Sequence, residues 1–502
     1  MKKFYITTPL YYVNDEPHIG HAYTTILADV ISRFQRKWGK DVYFLTGTDE
    51  HGQKVQEAAS KRGVNPQEHA NEYVERFKNA WTNLDIQYDY FIRTTDNNHK
   101  DSVKKVLDFL HSSGDIYFDE YEGLYSVSEE RFITKKEEEE GDYREIKKIK
   151  EKNYFFKMSK YQDKLISHIK NNPDFIQPES RKNEILGFLK KPLNDLCISR
   201  PKSRLSWGIE LPFDKDYVTY VWFDALLNYI TGVGWDEDKK KFNHYWPANY
   251  HLMAKDIITT HCVYWPTMLM ACDIELPKTI FAHGWWLIDD VKMSKSLGNV
   301  IKPLELADEY GADSLRYYLM RNMVLGQDST FTLDSFTKRY NDDLANDYGN
   351  VVNRVFVLIS KFFNSKVPSP GDYNDIDYNL IKEFELSVQK TYKYIEEFRV
   401  HDAVETIFSM IRSINKYLEN KAPWKTVKDF PSDNEITATT LYVSIECIRI
   451  ATQLLNPIMP TKTKTVLNAM GVEETENNLS YGIIKPKQNI ESISTLFPKK
   501  DI

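Results

Sequence analysis

The chain has little that would tie it together covalently and nothing that would bury it in a bilayer. Its 502 residues include four cysteines, Cys197, Cys262, Cys272 and Cys447, with no Cys-x-x-Cys pair among them. That argues against a disulfide framework or a thiolate zinc site, and it fits a reducing, cytoplasmic compartment. A run of about 18 or more apolar residues, the length a spanning helix needs, is absent. The opening "MKKFYITTPLYYVND" has two lysines but no apolar stretch leading to a small-residue cleavage site, so no secretory signal is expected. Nor is there an excess of positive charge: 66 Lys and Arg face 73 Asp and Glu, a net charge of −7. Indiscriminate nucleic-acid binding is thereby disfavoured, although local basic surfaces can still engage RNA.

What is present is the composition of a globular enzyme, 41% hydrophobic and 28% charged, at a length that implies about two to four domains. "KFYITTPLYYV" is rich in aromatic and β-branched residues and reads as a buried strand. After the turn-forming "NDEP", apolar residues recur at helical spacing through Ala22, Ile26, Leu27, Val30, Ile31, Phe34 and Trp38, and Gly39 ends the run. "DVYFLTGTD" is a second strand. A later helix opens at Asn65-Pro66-Gln67-Glu68, where Asn65 can cap and Pro66 suits the first helical position. Strand, helix, strand, helix implies a doubly wound parallel sheet whose ligands sit beyond the carboxyl ends of the strands.

His18-Ile19-Gly20-His21 falls at that place, between the first strand and its helix. Free backbone N–H groups and the helix dipole favour an anion there, and Gly20 removes bulk from the approach. Two imidazoles three apart can donate to phosphate oxygens from one side; a polar helix cap is the alternative reading. The string Lys-Met-Ser-Lys occurs twice, at residues 157 to 160 and 292 to 295. The first copy lies among Phe155, Phe156, Tyr161 and Leu165 and reads as a solvated helix entrance. The second lies between Asp289-Asp290 and Gly298, in a loop whose lysines are compact charges on long stems, suited to closing over a polyphosphate.

His18 to His21 paired with "KMSKS" at Lys292 to Ser296 resembles the double signature of the class I aminoacyl-tRNA synthetases. With "TTPLYYVNDEPHIGHAYTTILAD", "FLTGTDEHG", "YVWFDALLNY", "AKDIITTHCVYWP" and "FAHGWW", nearly the whole chain is similar to the methionyl-tRNA synthetase family. The resemblance implies the fold class: α/β, a Rossmann-type doubly wound parallel sheet split by a connective insertion and followed by an α-helical bundle. It implies activation of L-methionine by ATP, with Mg2+ on the nucleotide, and transfer of the methionyl group to tRNA(Met). It assigns His18, Gly20 and His21 to ATP, Lys292 and Lys295 to the leaving pyrophosphate, and Asp256 to the ribose. Leu10, Tyr12, Trp222, Tyr229 and His283 are placed around the thioether, and Asp49 on the ammonium group. Taken alone, Trp222 and Tyr229 read as core aromatics and Asp256 as a helix cap. Ala254 stands where many relatives have glycine, and Leu226 where some have proline.

The family pattern divides the chain into 1–115 and 211–288 as the two halves of the catalytic domain, 116–210 as the connective insertion, 289–336 as the phosphate loop and stem-contact region, and 337–502 as the anticodon-binding bundle. Within the insertion, the charged run at 135–152 reads as a solvated hairpin or loop. Ser126 and Glu129 stand where many relatives have zinc-binding cysteines, so no structural zinc is expected. In the bundle, Val351, Val352, Val355, Phe356, Ile359 and Phe362 form an apolar stripe. Asn350, Arg354 and Trp424 occupy the positions that read the anticodon; an anchoring role after Pro423 is the alternative for Trp424. A monomer is expected.

A small nucleotidyltransferase would share the phosphate site but not the insertion and bundle, whereas a noncatalytic RNA-binding paralogue would have no use for His18, His21, Lys292 and Lys295. The two Lys-Met-Ser-Lys copies make a direct test. Lys295→Ala is expected to slow methionine-dependent pyrophosphate exchange at least tenfold, about 1.4 kcal/mol. Lys157→Ala and Lys160→Ala are expected to leave it within about twofold, and equal losses from both copies would reverse the assignment.

Overall fold

A computed structural model of the chain describes residues 2–126, 131–133, 146–288, 291–292, 301–425, 434–473 and 478–501. Two compact units result. The first comprises Met1–Pro17, Asp41–Ala80 and Gln87–His283, and the second His18–Lys40, Trp81–Ile86 and Gly284–Ile502. These divisions differ from the sequence segments because the first long helix makes its buried ion pairs with residues far downstream, as described below.

Six strands build the sheet of the first unit: β1 (Lys3–Tyr12), β2 (Asp41–Asp49), β3 (Tyr90–Arg93), β4 (Ile176–Gln177), β5 (Tyr250–Ala254) and β6 (Thr279–His283). Their order is β3-β2-β1-β5-β6-β4, and every neighbouring pair is parallel. Chain order reverses between β1 and β5, which makes the carboxyl end of β1 the switch point at which such sheets bind ligands. Continuous burial along β1 and β2, rather than alternation, is the mark of a parallel sheet covered on both faces. Tyr5, Leu45, Phe156, Phe223, Trp265 and Ile280 belong to the core cluster that covers it.

Pro9 interrupts β1. It has no N–H for the ladder, and the pairing slips there by one residue, from Thr7 opposite Leu45 to Leu10 opposite Gly47. On the other side, β3 comes so close to β2 that a Cβ on Gly47 would lie 1.9 Å from the Ile92 carbonyl oxygen. Only glycine fits at that position.

The insertion is an antiparallel sheet. Strands Ile116–Ser126 and Ile146–Phe156 pair along their whole length, so the second half of the charged run lies in a strand; residues 134–145 are outside the described residues. Between β2 and β3 run α2 (Gln53–Arg62) and α3 (Pro66–Asn83), and α4 (Asn97–Ser112) follows β3. Asn65 caps α3 as the sequence indicates, its Oδ1 accepting from the Glu68 N–H at 2.8 Å.

The second unit is mainly helical. It opens with α1 (Ile19–Lys37) and continues with helices at Pro303–Tyr310, Ala312–Asn322, Leu333–Arg339, Asn350–Phe363, Asp375–Glu396, Val400–Lys421, Asn434–Leu455 and Pro460–Ala469. Five of the six apolar positions expected on Asn350–Phe363 are buried; Phe362, on its last turn, is partly exposed. At its centre Arg316 is fully enclosed, its Nη2 donating to Asp29 of α1 at 2.6 Å. The remaining donors meet the carbonyls of Leu84 at 3.1 Å, Pro457 at 3.0 Å and Ile458 at 2.8 Å. Asp29 also accepts from Arg33 at 2.8 Å. Asp29 thus bonds two guanidinium groups, and Arg33 has a second carboxylate in Asp85 at 3.1 Å.

Removing Asp29 takes from buried Arg316 the carboxylate it bonds directly, and breaking a buried pair typically costs about 3–5 kcal/mol. Asp29→Ala is therefore expected to lower the urea midpoint sharply. Glu305→Ala, which breaks the exposed 3.0 Å pair with Lys302, should cost no more than about 1 kcal/mol. Similar midpoints for the two variants would show that Asp29 is not a structural counter-ion.

Candidate active site

Within the first unit, the residues assigned from the sequence converge on the carboxyl ends of the parallel strands. Leu10 and Tyr12 end β1, and Asp49 ends β2 in register with Tyr12. Ala254 ends β5, and His283 ends β6 in register with Ala254. Asp256 follows in a short turn at Lys255–Ile257 and is exposed; the cap position of that turn is Ala254, so Asp256 is not a helix cap. Leu226 is buried at the end of α5 (Val221–Leu226), the helix that carries Trp222.

Aromatic rings gather beside this edge. Tyr12 and Trp222 meet edge to face at 6.4 Å, and Trp222 meets His261 in the same manner at 6.2 Å. Tyr229 is buried, its ring stacked on His251 at 4.2 Å and its hydroxyl 2.7 Å from His261 Nε2. Burial pulls the His261 imidazole down to about 4, so it is neutral at pH 7. Its Nδ1 faces the Ile257 carbonyl at 2.9 Å, which can only accept, and the ring proton therefore lies on Nδ1. Nε2 accepts, and the Tyr229 O–H donates.

The same reasoning fixes His251. Trp265 Nε1 can only donate, and it reaches His251 Nε2 at 3.3 Å, so the His251 proton sits on Nδ1 and is given to Thr7 Oγ1 at 2.8 Å. Burial, reinforced by His261, holds this ring well below the usual histidine range. Sequence reasoning missed His261, although "AKDIITTHCVYWP" contains it; it lies on a π-helical turn, Thr260–Tyr264, a feature frequent at functional sites.

Polar groups organise the opposite flank. Glu50 pairs with Arg93 at 2.7 and 2.8 Å and accepts from Thr48 at 2.7 Å. His51 Nδ1 lies 2.6 Å from one oxygen of Asp224, and His99 Nε2 lies 2.7 Å from the other. Burial pushes the Asp224 carboxyl up, but its bonds to the two imidazoles outweigh that and hold it below the usual carboxylate range. None of these residues is among those assigned from the sequence.

In the second unit, His18 is the cap of α1. Its Nδ1 accepts from the Gly20 N–H at 3.0 Å, the His18 N–H approaches His21 Nδ1 at 3.3 Å, and the rings stack at 3.7 Å. The cap reading and the phosphate reading are therefore compatible: each Nδ1 accepts within the cap, so Nε2 is the nitrogen of each ring that carries a proton. Gly20 serves the cap as well, since a Cβ there would lie 2.9 Å from His18 Cε1. Ile19 N–H reaches the Ile301 carbonyl at 3.1 Å. Lys292 pairs with Leu287 in a short antiparallel ladder; Lys295 lies outside the described residues.

The earlier Lys-Met-Ser-Lys copy is a structural joint in the first unit. Met158 is buried, Lys160 pairs with Asp115 at 2.7 Å, and Ser159 Oγ donates to Asp195 at 2.6 Å. Ser126 is buried at the end of its strand, and Glu129 lies outside the described residues. In the helical bundle, Asn350 is exposed at the start of its helix, and the Arg354 guanidinium lies 4.2 Å above the Trp424 ring, a cation–π contact.

Comparison with known proteins adds the family. Residues 4–142 and 140–356 match the model described as tRNA synthetases class I (M), and residues 367–486 match the anticodon binding domain of methionyl tRNA ligase. The methionine–tRNA ligase of Caldanaerobacter subterraneus subsp. tengcongensis is 43% identical over 509 residues, covering 100% of this chain and 79% of the relative. That of Clostridium perfringens is 45% identical over 474 residues, covering 93% and 73%. The structure of Mycobacterium tuberculosis methionyl-tRNA synthetase in complex with methionyl-adenylate superposes with a TM-score of 0.95 at 39% identity, covering 99% of this chain and 100% of that one. The chain belongs to the methionyl-tRNA synthetase family of class I aminoacyl-tRNA synthetases.

Proposed function

We propose that this chain is a methionine–tRNA ligase: it activates L-methionine with ATP to methionyl-adenylate and transfers the methionyl group to the terminal adenosine of tRNA(Met). The observation that carries the reading is the ring cluster at the strand ends. A thioether hydrogen-bonds weakly, so a selective pocket must use shape and sulfur–aromatic contacts of about 0.3–1.5 kcal/mol each. Trp222, Tyr12 and Tyr229 supply such faces, with Leu10 and His283 at the same strand edge. His261 belongs with them, because it fixes the direction of the Tyr229 hydroxyl. Asp49, buried at the end of β2, is the carboxylate for the ammonium group.

In activation, the methionine carboxylate attacks the α-phosphate and pyrophosphate leaves. Such a transfer needs in-line placement and neutralisation of charge more than covalent help. His18 and His21 donate from Nε2 to phosphate oxygens at the start of α1, where backbone N–H groups also favour an anion. Lys292 and Lys295 meet the charge that grows on pyrophosphate. Asp256, exposed after β5, accepts from the ribose hydroxyls. Magnesium is assigned to the ATP phosphates, which supply the oxygen ligands it prefers. No helix among the described residues is long and apolar enough to cross a membrane, and we assign the enzyme to the cytoplasm, where its free thiols would stay reduced.

Methionine-dependent ATP–pyrophosphate exchange tests the reading. Exchange with methionine alone among the standard amino acids supports it. Nucleotide transfer to another acceptor would show a nucleotidyltransferase instead, and tRNA binding without exchange would show a noncatalytic relative. Metal analysis should find no stoichiometric zinc, and activity should survive a chelator once magnesium is restored; one tightly held zinc would refute that assignment.

The bundle is tested separately. Trp424→Ala removes a stacking platform worth about 1–3 kcal/mol, a fivefold to 150-fold loss in charging efficiency. It also strips Arg354 of its ring partner. Exchange without tRNA should persist. A fall in melting temperature with parallel loss of both reactions would show an anchor instead, and unchanged charging would remove Trp424 from the recognition surface.

A further inference from the structure

Asp224 is a fully buried carboxylate with an imidazole on each oxygen: His51 Nδ1 at 2.6 Å and His99 Nε2 at 2.7 Å. His99 is itself fixed by Thr231, whose Oγ1 lies 2.8 Å from its Nδ1. Both rings are buried. A buried carboxylate is costly unless it is hydrogen-bonded, and here each of its oxygens has an imidazole nitrogen within hydrogen-bond distance. The arrangement is expensive to build for packing alone.

Its position in the chain gives it a use. His51 comes two residues after Asp49, in the loop between β2 and α2, and Asp224 comes two residues after Trp222 on α5. The neighbouring Glu50 ties the same loop to the other side, through Arg93 at 2.7 Å and through its backbone N–H to Thr94 Oγ1 at 2.9 Å. The loop is thereby held toward β3 by Glu50 and toward α5 by His51.

We propose that Asp224 is a positioning residue for methionine: by clamping His51 to α5 it sets the distance between the Asp49 carboxylate and the Trp222 ring. This rests on the methionine-activation reading above. Methionine is a flexible chain with an ammonium group at one end and a methyl thioether at the other. A site that fixes the gap between its two recognition elements selects length as well as polarity. A slip of about 1 Å in such a constellation is enough to cost up to a hundredfold.

The test is steady-state pyrophosphate exchange with Asp224→Asn, which keeps the shape but replaces one accepting oxygen by a donating amide. The KM for methionine should rise at least about tenfold, with the KM for ATP within about twofold and the melting temperature still showing a folded protein. Ethionine, one methylene longer, should lose less than methionine does. Should Asp224→Asn fail to fold, the comparison is His51→Asn against His51→Gln. The asparagine amide nitrogen takes the place of Nδ1 and rescues the methionine KM, whereas the glutamine nitrogen takes the place of Nε2 and does not. Wild-type exchange with methionine together with equal methionine KM values for wild type and Asp224→Asn, or for the two His51 variants, overturns the positioning role alone. Wild-type protein that exchanges with no amino acid overturns the activation reading and the positioning role with it.

Discussion

Parallel pairing in the central sheet is the constraint from which the first unit's chemistry follows. Six strands running the same way deliver all their carboxyl ends to one edge. Leu10, Tyr12, Asp49, Asp256 and His283 are scattered over more than half the sequence, yet each ends or directly follows a strand of this sheet. The slip at Pro9 acts at the same edge: without it the residues after Thr7 would stand on the opposite faces of β1, because side chains alternate along a strand. Gly47 serves the constraint from the neighbouring strand, where any side chain would drive β3 away.

Each unit also has a buried ionic centre, and the two are built on different principles. Arg316 meets one carboxylate and several carbonyls, and it joins segments distant in sequence: α1, the turn at Leu84, and the residues before Pro460. Asp224 is the inverse, an anion held by an imidazole on each oxygen. The guanidinium suits a hub because its donors form a planar fork that reaches several acceptors at once. The carboxylate suits a clamp because its two oxygens can each take a donor from a different element, here His51 after β2 and His99 on α4.

Much of the local structure was legible in the sequence. The strand "KFYITTPLYYV", the helix ended by Gly39, the Asn65 cap and the apolar stripe of Asn350–Phe363 all follow from residues within a few positions of one another. Long-range pairing was not legible. β4 is two residues long and carries no periodic signal, so nothing local reveals that it extends the sheet beyond β6. The site divides the same way. Asp49, Trp222 and Tyr229 could be named from motifs that hold them together in sequence. His51, His99 and Asp224 owe their meaning to partners 173 and 125 residues away, and each alone reads as a solvated or satisfied polar residue. Gly20 was assigned for nucleotide access, and its neighbourhood adds a second demand, room for the His18 ring.

The histidines near the ring cluster show how the proposed methionine site can contain imidazoles without repelling a zwitterion. An imidazolium a few ångströms from the substrate ammonium group would oppose binding, since like charges at about 4–6 Å disfavour one another strongly in a poorly solvated site. Burial alone lowers the basicity of His251 and His261, but hydrogen bonding makes neutrality specific. Trp265 offers His251 only a donor, so a second proton on that ring would face the indole N–H. Tyr229 has its hydroxyl proton turned toward His261, so protonating that nitrogen requires the phenol to rotate away. Rotation would in turn release the Tyr229 hydroxyl from His261. Neutrality and the orientation of Tyr229 are thus a single arrangement, in which the imidazole stays uncharged and aims the phenol at the same time.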